Sequence, residues 1–218
     1  MTMKLKMNWL APLVAIVASC SVHAADKLKV QITADIASVT VKHHGKNVVI
    51  QRNQDGKNTI NPDYAITSRD CPPFCIKPIK LADGVETIAE LEVLQYLQKV
   101  SNGDKGVLVI DSRTPSWVKK GTIPGSVNIP WTELSLTAGG NALSIAEILT
   151  EKFGVVNEDD LFDFSNAKTL VMFCNGMWCG QSPKNIMTLM KFGYPAEKIK
   201  WYRGGMQDWH ILGLTTIK

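Results

Sequence analysis

At 218 residues, with 45% hydrophobic and 20% charged side chains, the chain can build one domain of ordinary size with a smaller appendage. Its formal charge of +4 falls to +2 once residues 1–24, which hold Lys4 and Lys6 and no acid, are set aside. So even a balance excludes the basic footprint of a nucleic-acid binder and gives no membrane-surface signature.

The chain opens with a basic start at Lys4 and Lys6. An apolar stretch from Leu10 to Ala18, too short to span a bilayer, and a cleavage signal at Val22-His23-Ala24 follow. A signal peptide over residues 1–24 is the expectation, and with it export, in the periplasmic sense. Val17-Ala18-Ser19-Cys20 also resembles a lipobox, so a lipid anchor on Cys20 is the competing expectation. Valine in place of leucine at its first position weighs against that. No other segment is apolar and long enough to suggest a membrane span.

Residues 25–84 read as a β-rich extension. Leu28, Val30 and Ile32, then Val39 and Val41, then Val48 and Ile50 alternate in the manner of strands. His43 to Asn47 reads as a hairpin turn, which leaves His43 and His44 exposed and not metal ligands. The extension ends at Cys71-Pro72-Pro73-Phe74-Cys75, too proline-rich for a helix. Cysteines remaining after residue 24 form two close pairs, Cys71 with Cys75 and Cys174 with Cys179. In an oxidising compartment two local disulfides are expected. Two cysteines alone make a poor zinc site, so no metal or other cofactor is expected.

From residue 85 to 218 helix and strand patterns alternate. Thr87-Ile88-Ala89-Glu90 predicts a capping box before Leu91, Leu94 and Leu97. Val107 to Ile110 is a buried-strand run ending at Asp111, and Asp111 with Arg113 predicts a pair at the strand end. Gly125 to Pro130 reads as a short strand, and Ser144 opens a helix that stops at Gly154. Further strands are expected at Leu170–Phe173 and Ile199–Tyr202, with helices after Ser182 and near Met206. Trp117, Trp131, Trp201 and Trp209 are read as core or rim packing. The fold class is α/β, a doubly wound and mostly parallel sheet with helices on both faces. Ligands of such sheets bind beyond the carboxyl ends of the strands.

Cys174 occupies such a place. It follows the apolar strand Leu170–Phe173 and begins a glycine-containing loop, with Ser182 read as the N-cap of the next helix and Pro183 as its first residue. Loop N–H groups and the positive end of the helix dipole would converge on its sulfur, lower its pKa and stabilise an anionic adduct. The pattern points to a thiolate nucleophile at Cys174. Asn175, Gly176, Met177, Trp178, Cys179, Gly180 and Gln181 form the loop around it.

At this point the chain resembles the rhodanese family of sulfurtransferases. The resemblance runs from about Val85 to the C-terminus and rests on four ordered segments. They are Val107 to Arg113 (VLVIDSR), Gly121 to Pro130 (GTIPGSVNIP), the loop from Cys174, and Tyr202 to Trp209 (YRGGMQDW). The resemblance implies a doubly wound α/β domain with Cys174 as nucleophile and Asn175 to Gln181 as the cradle of a persulfide. It implies a small sulfur donor such as thiosulfate and a thiol or cyanide acceptor, with no nucleic-acid partner. Seven residues separate Cys174 from Ser182, a longer loop than the family's common form, and none of them is basic. Arg113, Lys184 and Arg203 are therefore the candidates for attracting an anionic substrate. Thr122 stands where many relatives have histidine.

Two other readings compete. Cys179 could resolve an adduct on Cys174 into a disulfide, which would make the protein a periplasmic thiol–disulfide redox protein. Alternatively the domain is a catalytically silent binding module. A phosphatase or arsenate-reductase reading fails on residues, because Gly180 occupies the place of the oxyanion-clamping arginine.

Overall fold

The computed structural model describes residues 28–159 and 161–218. The expected signal peptide, and Cys20 with it, lies outside them. A five-stranded sheet of order β3-β9-β8-β4-β5 forms the centre. Its strands are β3 (Glu86–Ile88), β4 (Val107–Asp111), β5 (Val127–Asn128), β8 (Thr169–Phe173) and β9 (Ile199–Tyr202). Every neighbouring pair in it is parallel.

Alternation along the strands feeds two cores. Leu170 and Met172 of β8 face a cluster with Ile145 and Leu149 of α3 (Ala142–Glu151) and Ile186 and Leu189 of α4 (Gln181–Lys191). Val171 and Phe173 face the other side, against Leu94 and Leu97 of α1 (Glu90–Ser101) and Trp209 of α5 (Gly205–Ile211), with Trp117 of the short α2 (Pro115–Val118) partly buried against them. Helices therefore cover both faces of a parallel sheet, as the continuous apolar runs predict.

An antiparallel hairpin, β1 (Ser38–His43) with β2 (Lys46–Gln51), turns through His44 and Gly45, both at positive φ. Its Val39, Val41 and Ile50 are buried in the same cluster as Leu97 and Val109. His43 is more than a turn residue, since its Nδ1 accepts the Gly125 N–H at 3.1 Å.

Several local expectations shift. Residues 28–37 form no strand: Gln54 instead satisfies both the N–H and the carbonyl of Val30 with its own amide. Thr87 lies in β3 and donates to the Ile79 carbonyl, so α1 is opened by Ala89, whose N–H is capped by Glu92. The cap of α3 is Asn141, with Ser144 bonding back to it, three residues before the expected start. A small hairpin of β6 (Val156–Glu158) and β7 (Leu161–Asp163) has no counterpart in the expected elements.

One polar cluster sits inside this apolar frame. Asp111, at the end of β4, receives the Arg113 Nε at 2.9 Å and Nη2 at 2.6 Å, and the Thr122 hydroxyl at 2.7 Å. Arg113 also donates to the Tyr64 hydroxyl and the Gly121 carbonyl, and both charged side chains are fully buried. Removing one member strands the other charge in the core, so Arg113→Met should lower unfolding stability by about 3–5 kcal/mol. An Asp111→Leu/Arg113→Met double variant should lose less than the single change; urea denaturation of the three proteins measures the difference.

Candidate functional site

The carboxyl end of β8 delivers Cys174 to the sheet edge, where the chain leaves through a loop and re-enters as α4. Cys174 is 2% exposed and Cys179 4%, and both are free thiols. The expected Cys174–Cys179 disulfide is absent; the Cys179 thiol is instead a hydrogen-bonding neighbour of the Cys174 sulfur. The Cys71 and Cys75 sulfurs, in contrast, lie at disulfide distance.

Ser182 is not the helix cap. The cap position is Gly180, and the Ser182 hydroxyl donates to the Cys174 sulfur at 3.2 Å. Trp201 Nε1 donates to the same Ser182 oxygen at 3.3 Å, leaving the hydroxyl proton for the sulfur. The N–H groups of Ser182 and Gln181, in the first turn of α4, also point to the sulfur. A reading that assigns serine before a helix to capping misses this, because the distinguishing partner, Trp201, lies on another strand.

These contacts decide the ionisation. Burial alone pushes the Cys174 thiol up. The hydrogen bonds from Cys179, from the Ser182 hydroxyl and from the two N–H groups outweigh it and bring the pKa down to about 7. Cys179 moves the opposite way, raised first by burial and then by its bond to Cys174. Of the two sulfurs Cys174 is thus the more acidic, ionising near neutral pH, while Cys179 is kept as the thiol.

The rest of the loop is fixed by backbone. Cys179 N–H returns to the Gly176 carbonyl at 2.8 Å, and the Asn175 N–H serves the Cys179 sulfur. Met206 N–H and Gln207 N–H bond the carbonyls of Cys174 and Asn175, each at 2.9 Å. Gly205 has φ +56°, and a Cβ there would collide with the Cys174 carbonyl. Only glycine allows α5 to approach the Cys174 loop this closely. Trp178 Nε1 donates to Gln207, whose own amide donates to the Tyr64 carbonyl, so loop, helix and N-terminal segment are tied in series.

With the thiolate cradle, the strand order and the two-faced helical cover in place, the Rhodanese-like domain matches residues 93–212, more than half the chain. The chain belongs to the rhodanese-like domain family. Among solved structures it is similar to the human single-domain sulfurtransferase TSTD1, at 18% identity and TM-score 0.35, covering 57% of this chain and 95% of that one. A possible tyrosine phosphatase of unknown function from Rhodopseudomonas palustris matches at 19% identity and TM-score 0.42, covering 63% and 88%. Reduced CoADR-RHD from Bacillus anthracis matches at 28% and 0.36, covering 59% of this chain and 17% of that one. No curated protein matches.

In this rhodanese-like chain the three cations proposed for substrate attraction separate. Arg113 is instead buried on Asp111, Tyr64 and Gly121, close enough to Cys174 for the thiolate to favour its charge. Arg203 directs Nε and Nη2 to the Lys77 carbonyl. Lys184 remains exposed, 4.7 Å over the Trp131 ring, at the wall of a cavity that also includes Cys179 and Gln181. Trp117 and Trp131 line that cavity, whereas Trp201 and Trp209 are core.

Because the thiolate is the reactive form, alkylation of Cys174 by iodoacetamide should rise with pH through a midpoint of about 7 and then level off. Ser182→Ala should move that midpoint upward and slow alkylation at pH 7 by about two- to tenfold, the worth of one hydrogen bond. Peptide mapping of the alkylated chain distinguishes Cys174 from Cys179.

Proposed function

We propose that the protein is an exported sulfurtransferase that carries sulfane sulfur on Cys174. The observation that supports this most is the buried Cys174 thiolate with Ser182 Oγ, Ser182 N–H and Gln181 N–H directed at it. Such a cradle stabilises a negative sulfur without a general base.

In the first step the thiolate attacks the outer sulfur of a donor such as thiosulfate. The donor's S–S bond breaks, sulfite leaves with the electron pair, and Cys174 holds a persulfide anion. An acceptor thiolate, or cyanide in an assay, then attacks the terminal sulfur. That forms the acceptor's persulfide or thiocyanate and returns the Cys174 thiolate. Export is inferred from the basic start, the apolar stretch and the Ala24 cleavage signal, with maturation leaving a chain that starts at Ala25.

A second reading has its own support. The Cys179 thiol adjoins the Cys174 sulfur and, unlike Cys174, contributes to the cavity wall. The Cys174 thiolate would attack an external disulfide, breaking its S–S bond and releasing one partner thiolate. Cys179 would then displace the second partner sulfur from the mixed disulfide, its proton passing to that sulfur, which leaves Cys174 and Cys179 joined.

Intact-mass measurement of the reduced chain after thiosulfate separates the two. A gain of one sulfur atom that is lost in Cys174→Ser and kept in Cys179→Ser is the expected result. A gain that survives Cys174→Ser, or a rapid Cys174–Cys179 disulfide with no sulfur gained from any donor, would overturn the transfer reading.

A further inference from the structure

Cys71 and Cys75 lie outside residues 93–212, where the family match runs. Their sulfurs are at disulfide distance and only four positions apart in sequence. A link over so short a span fastens no two elements together, and the stabilisation gained by closing a loop grows with its length. Its setting is the surface. Cys71 is exposed and Cys75 half-buried, and both line a cavity with Ile66, Phe74, Ile76 and Ile211. Exposed disulfides are the ones open to thiol exchange.

The turn that this pair closes is also a wall of the Cys174 site. Arg69, Phe74 and Lys77 line the cavity that includes Cys179, and Arg69 and Phe74 line the Cys71–Cys75 cavity as well. With Trp178 these two side chains form one stack between the cavities. Arg69 Cζ stands 4.2 Å from the Trp178 ring centroid and 5.6 Å from that of Phe74. The Phe74 ring meets Trp178 edge-on, with centroids 5.6 Å apart. Two residues beyond Cys75, Lys77 N–H donates to the Met177 carbonyl at 2.9 Å, and Arg203 Nη2 donates to the Lys77 carbonyl at 2.7 Å.

Local backbone structure contributes little to holding the turn in shape. Among the described residues, 65–85 form neither helix nor strand, and most of them are exposed. Inside the turn, Phe74 N–H bonds the Asp70 carbonyl at 3.0 Å. A stretch with so few buried contacts opens at low free energy unless a covalent link restrains it. The Cys71–Cys75 bond is that restraint, and it keeps Arg69 and Phe74 on Trp178.

We propose that Cys71–Cys75 is a thiol–disulfide exchange site that governs access to the Cys174 loop. Its co-reactant is a dithiol reductant. One thiolate of the reductant attacks the exposed Cys71 sulfur, the S–S bond breaks, and the Cys75 sulfur leaves with the electron pair and takes up a proton. The second thiolate of the reductant then displaces the Cys71 sulfur from the mixed disulfide, and that sulfur is protonated in turn. The reductant ends as a disulfide, and its two electrons and two protons reside on Cys71 and Cys75 as thiols. In that state the turn loosens, the Arg69–Phe74–Trp178 stack separates, and the two cavities join beside Cys179. None of these steps requires Cys174 to carry sulfur, so the exchange site stands or falls apart from the transfer reading.

The test compares three samples: the chain purified without reductant, the same chain after dithiothreitol is added and removed under nitrogen, and a Cys71→Ser/Cys75→Ser variant. In the first, iodoacetamide in denaturant should label Cys174 and Cys179, and N-ethylmaleimide added after reduction should label Cys71 and Cys75. Dithiothreitol should reduce that pair in the native fold, with circular dichroism unchanged. Reduction should raise the native alkylation rate of Cys179 about tenfold and speed hydrogen exchange at the Lys77 amide, as expected when a local restraint is released. The double variant should show both changes without reductant; if it fails to fold, the reduced wild-type chain still decides. Three results would overturn the proposal: Cys71 and Cys75 already labelled before reduction, a pair reduced only on unfolding, or alkylation and exchange rates that reduction leaves unchanged.

Discussion

A fully buried ion pair sets the terms for this structure. Asp111 ends β4, the neighbour of the central strand β8, with a carboxylate that cannot reach water, and Arg113, two residues on, supplies its counter-charge. In a low-dielectric interior such a pair is tolerated only if its remaining donors and acceptors are also met. Meeting them recruits two separate segments of chain. Thr122 donates to Asp111, Gly121 accepts from Arg113, and the hydroxyl of Tyr64 reaches in from the N-terminal segment. The carboxyl end of the sheet is therefore assembled around one compensated charge pair, and the functional loop is built beside it.

Cys174 adds a second anion to this end of the sheet, and the same rule applies. Burial works against a thiolate, so its charge depends on donors delivered by elements distant in sequence. The start of α4 brings the Ser182 hydroxyl and two N–H groups, and Trp201 of β9 fixes the hydroxyl's direction. Cys179 provides a further donor and is itself held protonated as a result. The asymmetry between the two cysteines is a consequence of position, not of residue type. Gly205 completes the arrangement by letting α5 bond the Cys174 carbonyl at contact distance.

The N-terminal segment is part of this site and not an ornament on it. Tyr64 enters the buried ion pair and the Tyr64 carbonyl accepts from Gln207, which in turn holds Trp178. Arg69 and Phe74 close over Trp178, and Lys77 bonds the loop backbone. Through these contacts an uncharged loop acquires a positive surrounding. A loop with no basic residue of its own can thus lie in an anion-attracting field, provided another segment is folded against it.

Much of the scaffold was legible from local pattern. Apolar runs at Val107–Ile110 and Leu170–Phe173 mark parallel strands buried on both faces, and the ordered segments around them mark the rhodanese-like domain. Cys174 stands out because strand, loop and helix signals meet there, and the Asp111–Arg113 pair because its members are two residues apart. Each of these depends on neighbours along the chain. What escaped depends on neighbours in space. Ser182 looks like a cap until Trp201 is beside it, and Arg113 and Arg203 look available until Tyr64 and Lys77 occupy their donors. The strand expected at residues 28–32 fails because the Gln54 side-chain amide, not a partner strand, meets the backbone of Val30. Sequence alone thus determined the fold class and singled out Cys174 as the candidate nucleophile, since periodicity and loop chemistry are local. Tertiary structure decided which groups face the thiolate and which cations surround the cavity, because burial and hydrogen-bond partnership are properties of the packed chain.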